Sequence, residues 1–160
     1  MERATPKLVS SNSTRKGREF EEKILGFPCY WSWQGAPEWA KRDTARCLQM
    51  VRKNQPWDPT DPGDPDDSKN HFAQDLHADV CVELGVEEWS EVALYTAVGS
   101  PLDRFHGIDA FFEFHGTIVS IDLTVGRKGS HKADLVIKPW DLTGRNREKL
   151  VGDICWLLQK

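Results

Sequence analysis

Residues 107–125, GIDAFFEFHGTIVSIDLTV, contain two β-prone apolar runs separated only by His115 and Gly116. A two-residue connection with glycine in second place is the signature of a tight hairpin. Strands are therefore expected over 107–114 and 117–125, as direct neighbours. Each run carries an aspartate, Asp109 in the first and Asp122 in the second. Strand interiors disfavour Asp, and an ionised carboxylate buried without a partner is expensive. The pair calls for a counter-charge, which a metal ion or the following lysines, Lys128 and Lys132, could supply. Alternation places Ile118, Ser120, Asp122 and Thr124 on one face of the second strand and Val119, Ile121, Leu123 and Val125 on the other. The first set reads as an active face and the second as core. Asp109 shares its face with Phe111 and Glu113, and the bare Gly107 before it would let a substrate backbone approach closely.

The rest of the chain supplies helices for this hairpin. With 160 residues and 39% hydrophobic content, one domain with a true core is expected. Residues 1–13 are polar and aperiodic and read as a disordered lead-in. Residues 14–55 read as a helical, Trp-rich N-terminal extension. A first helix, capped at Ser13 or Thr14, runs to Leu25 with Phe20 and Ile24 on one side. An aromatic patch of Phe27, Tyr30, Trp31, Trp33 and Trp39 follows, then a second helix over 37–53. Residues 56–68 include PWDPTDPGDPDD, where Asp-Pro recurs every three residues, and read as an extended linker. Residues 69–160 form the expected core, in one compact domain with the extension. In it, 71–86 has helical spacing of Phe72, Leu76, Val80 and Leu84, 91–98 alternates as a strand, 133–137 is a short fourth strand and 145–158 is an amphipathic helix. The fold class is α/β, a small mixed central sheet flanked by helices.

The formal net charge of −4 conceals an uneven distribution. Residues 69–125 hold ten Asp or Glu against Lys69 and Arg104, whereas 126–160 hold eight Lys or Arg against four acids. An acidic centre beside a basic C-terminal third suits a cation site flanked by a phosphate-binding surface. The four cysteines, Cys29, Cys47, Cys81 and Cys155, are too widely spaced for a disulfide framework or a zinc knuckle. Cys81 and His77, four apart on one helix, read as a buried thiol near a surface histidine. Neither a secretory leader nor a bilayer-spanning apolar run is visible, so a cytoplasmic setting without membrane contact is expected.

The GID, hairpin and SID pattern, with lysines following, resembles the PD-(D/E)xK nuclease superfamily, in its branch of archaeal Holliday-junction resolvases and restriction enzymes. The likeness spans about residues 70–160 and implies a restriction-endonuclease-like core. It also implies a Mg²⁺- or Mn²⁺-dependent endonuclease acting on DNA, with Asp109 and Asp122 as catalytic metal ligands. A third acid comes from a helix in that family. Asp75 matches best, with Asp79 next. Glu21 is the rival, because GREFEEKIL at 17–25 resembles the family's opening helix and would make 26–90 an insertion. The family lysine falls at Thr124, so Lys132 or Lys128 would replace it. Arg127, Arg145, Arg147 and Lys149 are the expected DNA contacts. The last three, at the start of a helix, oppose its dipole. Two other readings compete. One is a nuclease-like fold that lost its lysine and now binds nucleic acid or serves in assembly. The other is a homodimer or protein partner engaged through the tryptophans of the N-terminal part.

Overall fold

His115 and Gly116 both adopt left-handed φ, 50° and 84°, as a tight hairpin turn demands. They join β2 (Ala110–Phe114) to β3 (Thr117–Leu123). A computed structural model describes residues 12–25, 37–62, 72–126 and 132–160 of the chain, with the side chains of 12–14 excepted. β1 (Val92–Thr96) pairs antiparallel with β2, and β4 (Leu135–Ile137) pairs parallel with β3. The result is a four-stranded mixed sheet in the order β1-β2-β3-β4. Helices α1 (Asn12–Leu25), α2 (Thr44–Lys53), α3 (Phe72–Leu84), α4 (Pro101–His106) and α5 (Gly144–Leu158) surround it. The chain is thus mixed α/β with an open sheet, as its patterning predicts.

Alternation along the strands divides the apolar residues between two clusters. Val119, Ile121 and Leu123 join Phe112 and Leu94 in the larger one, with Phe20 and Ile24 of α1, Leu76 and Val80 of α3, and Leu150 and Ile154 of α5. Phe111 and partly buried Ile118 belong to the smaller, with Cys47 and Val51 of α2 and Leu102 of α4. α3 presents Ala73, Leu76, His77, Val80 and Cys81 inward. It ends at Gly85, whose φ of 73° lets its N–H and that of Val86 reach the Cys81 carbonyl at 3.1 and 3.3 Å, satisfying the helix terminus.

Several boundaries differ from expectation. The helix expected over 37–53 is broken: Glu38–Lys41 is a 3-10 turn, and the Asp43 carboxylate accepts from Arg46 N–H at 3.0 Å to start α2 afresh. α4 was not expected at all. It shortens the strand expected from 107, because Gly107 closes α4 at φ 67°. Its φ of 67° is the left-handed conformation that glycine adopts without strain, and a Cβ on it would meet nothing within 4 Å. β4 begins at Leu135, not at 133. Ser120, placed on the expected active face, accepts the Asp134 N–H at 2.9 Å and donates its own N–H to that carboxylate at 2.9 Å, fixing the entry to β4.

The start of the Asp-Pro segment lies against the sheet. Trp57 is buried, and the Pro59 carbonyl accepts Leu94 N–H at 2.8 Å. The Gln55 amide donates to the Thr96 carbonyl and accepts its N–H, both at 2.9 Å. Together they cover the free edge of β1, which would otherwise offer unpaired backbone groups. Residues 63–68 lie outside the described residues, as do the lead-in 1–11, Cys29 and the aromatics at 27, 30, 31 and 33. Cys47, Cys81 and Cys155 are free and buried. His77 is not at the surface: it is 3% exposed, and its Nε2 meets the Val92 carbonyl at 2.7 Å. Among the described residues no helix is long and apolar enough to cross a membrane.

Candidate metal centre

α4 exists because its caps are complete. The Ser100 hydroxyl accepts from Leu102 N–H at 3.1 Å and Asp103 N–H at 3.4 Å, Pro101 occupies the first turn, and Gly107 takes the left-handed cap. This one-and-a-half-turn helix holds Asp103, whose Oδ2 accepts Gly99 N–H at 2.9 Å. Two residues beyond the cap, Asp109 is held on three sides. Its N–H donates to the Ile121 carbonyl at 2.8 Å and its carbonyl accepts Ala97 N–H at 2.7 Å. Its Oδ2 accepts Leu123 N–H at 2.7 Å. On α1, Phe20 and Ile24 are seated in the larger cluster and bring Glu21 to the same end of the sheet. One carboxylate oxygen each from Glu21, Asp103 and Asp109 then lies within 4.8 Å of the others.

Asp109 is 2% exposed. Burial, then repulsion from Asp103 and Glu21 and a hydrogen bond with the Asp103 carboxyl, push its acid up to about 11 against the pull of Leu123 N–H. These influences together favour the protonated form of Asp109. The donor set fits a divalent cation: three hard oxygens from three separate segments, one held rigidly by backbone and two partly open. A cation would relieve the same repulsion that now retains the proton.

The sequence-derived site residues are distributed unevenly around this centre. Asp109 is in it, and so is Glu21, the rival for the helical acid. Asp75 is exposed on α3 and lies outside it. The inward stripe of Ala73, Leu76 and Val80 turns Asp75 to solvent. Asp79 also lies outside the group and binds Arg147, whose Nη2 and Nε reach its Oδ2 at 2.6 and 3.1 Å. Asp122 is 3% exposed on β3 and does not belong to the three-carboxylate group. Lys132 is exposed ahead of β4, whereas Lys128 and Arg127 lie outside the described residues. Thr124 is buried, and its hydroxyl accepts Gly126 N–H at 3.3 Å, organising the turn that leaves β3. Of the expected DNA contacts, Arg147 is occupied by Asp79 and Lys149 by Asp153 at 2.7 Å, while Arg145 is exposed.

Asp103 was not anticipated. Its signal was nonetheless present in Ser100-Pro101 and Gly107, a start and stop spaced for a short helix. Comparison with protein-family models, curated proteins and solved structures returns no match.

Proposed function

We propose that this chain is a Mg²⁺- or Mn²⁺-dependent nuclease that hydrolyses DNA phosphodiester bonds on a restriction-endonuclease-like core. The observation that carries this reading is the meeting of Glu21, Asp103 and Asp109 within 4.8 Å at one end of the sheet. A divalent ion bound there would polarise the scissile phosphate and offset the negative charge that grows during its displacement. In this reading Glu21, Asp103 and Asp109 hold the ion. Asp122, one residue before the Leu123 N–H that binds Asp109, steadies this end of β3 as a positioning residue. Lys128 or Lys132 faces the phosphate and takes or orients the proton of the attacking water. Phosphate grip comes from cations on the helix that carries Glu21: Arg15, Lys16 and Arg18 are exposed on α1, whose first turn carries no acid, and Arg18 lies one turn from Glu21. Cations there oppose the helix dipole, a placement that an anionic ligand compensates. Arg145 adds a further exposed cation, and the setting is cytoplasmic.

Incubation with single-stranded, duplex and branched DNA in Mg²⁺ or Mn²⁺ tests the reading. Cleavage that disappears in Asp109→Asn and in one of Lys128→Ala or Lys132→Ala is the expected result. Absence both of cleavage and of divalent-ion binding by calorimetry would end it. A second reading, a nuclease-like fold that binds nucleic acid without cutting it, is favoured by one observation. Thr124 stands at the position of the family lysine and is committed to the turn at Gly126. Ion and DNA binding without cleavage would select that alternative.

A further inference from the structure

β4 runs parallel to β3 with Leu123 opposite Ile137, so the chain leaves β4 at the end of the sheet where Leu123 N–H holds Asp109. Two strand spacings, about 10 Å, separate β2 from β4 there. The three residues after Ile137 are Lys138, Pro139 and Trp140. Trp140 is 58% exposed, although its backbone is firmly held. The turn Pro139–Asp141 is closed by Lys138 N–H donating to Asp141 Oδ2 at 2.8 Å and by Asp141 N–H donating to the Lys138 carbonyl at 2.9 Å. The Asn146 amide donates to the Trp140 carbonyl at 3.1 Å, joining the turn to the start of α5. Lys138 Nζ lies 5.3 Å from the Trp140 ring centre, and exposed Arg145 follows on α5. A large aromatic on a rigid turn, flanked by cations, at the end of the sheet that carries the carboxylates is the equipment for stacking a base while neutralising its phosphate.

We propose that Trp140 is a stacking platform for an unpaired base, with Lys138 and Arg145 as backbone contacts. The substrate class is then DNA with a single-stranded segment beside the cleaved bond. The proposal rests on the nuclease reading for its position, but its test does not depend on cleavage. A base in an intact duplex has both faces covered by its neighbours and cannot accept an indole ring, so the platform discriminates by strand state.

The test is fluorescence anisotropy of the full chain, in EDTA, with a labelled oligo-dT of about twelve nucleotides and a blunt duplex of equal length, within the range one such site covers. Oligo-dT is expected to bind more tightly than the duplex. Trp140→Ala should weaken oligo-dT binding about tenfold, and Trp140→Phe should restore most of the loss. Lys138→Ala should lower the slope of log affinity against log salt by about 0.7. Trp156→Ala serves as the control: Trp156 is 61% exposed on α5 with Lys160 over its ring, and its loss should change nothing. Equal affinity of the Trp140→Ala chain for oligo-dT, or equal binding of oligo-dT and duplex by the native chain, overturns the proposal. Trp140-dependent oligo-dT binding without metal-dependent cleavage sustains the platform while removing the nuclease reading. Cleavage with unaltered binding in Trp140→Ala does the reverse.

Discussion

The apolar layer beneath α3 and α5 and the carboxylate end of the sheet meet at one residue of β3, Leu123, and their energetics are opposite. Val119, Ile121 and Leu123 meet Val80 and Ile154 in a layer that is complete in itself. Every contact there exchanges water for a close-packed neighbour, and nothing further is required. At the sheet end, Leu123 N–H holds Asp109 facing Asp103 and Glu21, an arrangement that places like charges beside a buried carboxyl. The first region explains why the chain folds. The second is tolerated because the first is strong enough to hold it, a common relation between a core and a functional site.

The sharpest way to break this comparison is to weaken the core. Phe112 and Ile154 are both fully buried, so in urea or guanidinium titration Phe112→Ala should destabilise the fold by about 3–5 kcal/mol and Ile154→Ala by about 2–5 kcal/mol. At temperatures where the variants remain folded, their divalent affinity should be that of the native chain. A large affinity change in a folded core variant would show that the two regions are not separable.

The second test acts on the carboxylate end. Asp109 has its folded acid constant raised from 3.8 to about 11, so the native state holds a proton that the unfolded chain releases. Its contribution to stability is complete below about pH 4 and is lost as pH rises toward 11, at a slope of at most about 1.4 kcal/mol per pH unit. Urea midpoints measured from pH 6 to 9 should therefore fall with pH. Asp109→Asn, which cannot ionise, should flatten the decline, and Mg²⁺ or Mn²⁺ should flatten it in the native chain by favouring the ionised site. An equally steep decline in Asp109→Asn would assign it to other groups.

A smaller effect separates the two helical acids. Glu21→Gln should weaken divalent binding about tenfold or more by calorimetry, because it removes one of three charged donors. Asp75→Asn should leave binding unchanged, since Asp75 is exposed on α3 outside the group. The reverse pattern would move the ion from the end of the sheet to α3.

How much of this arrangement could be read beforehand follows from the range of the forces involved. The hairpin, the apolar face of β3 and helices α1, α3 and α5 are written in local period and turn chemistry, and the structure forms them within a few residues of expectation. The two faces of β3 separate as alternation requires, but the set expected to be active is covered as well: Ile118 joins the smaller cluster, and Ser120, Asp122 and Thr124 are buried. The grouping of acids was not local. Glu21 and Asp109 are 88 positions apart, and spacing along the chain favoured Asp75, which lies nearer to the strands. What decided the matter was the packing of Phe20 and Ile24, a tertiary outcome that periodicity alone does not rank. Asp103 is hidden for a different reason: the β-prone run after Gly107 reads as a strand that starts at this glycine, although a glycine preceded by Ser100-Pro101 also fits a helix stop. One φ angle separates those readings.

The last comparison concerns charge that is already balanced. Arg147 meets Asp79 at 2.6 Å, and its guanidinium lies 5.2 Å from the Phe72 ring centre, tying α5 to the start of α3. This is a partly exposed ion pair with a cation–π contact, so Arg147→Ala should cost about 1 kcal/mol in denaturant. A double-mutant cycle with Asp79→Ala should assign part of that loss to the pair. The loss should shrink in high salt, since part of the bond is screened. Oligo-dT and divalent binding should be unchanged, because this arginine is already committed within the fold. If Arg147→Ala weakened DNA binding without reducing stability, Arg147 would be a DNA contact as its sequence position suggests, and the division between self-satisfied and ligand-seeking charge would have to be redrawn at α5.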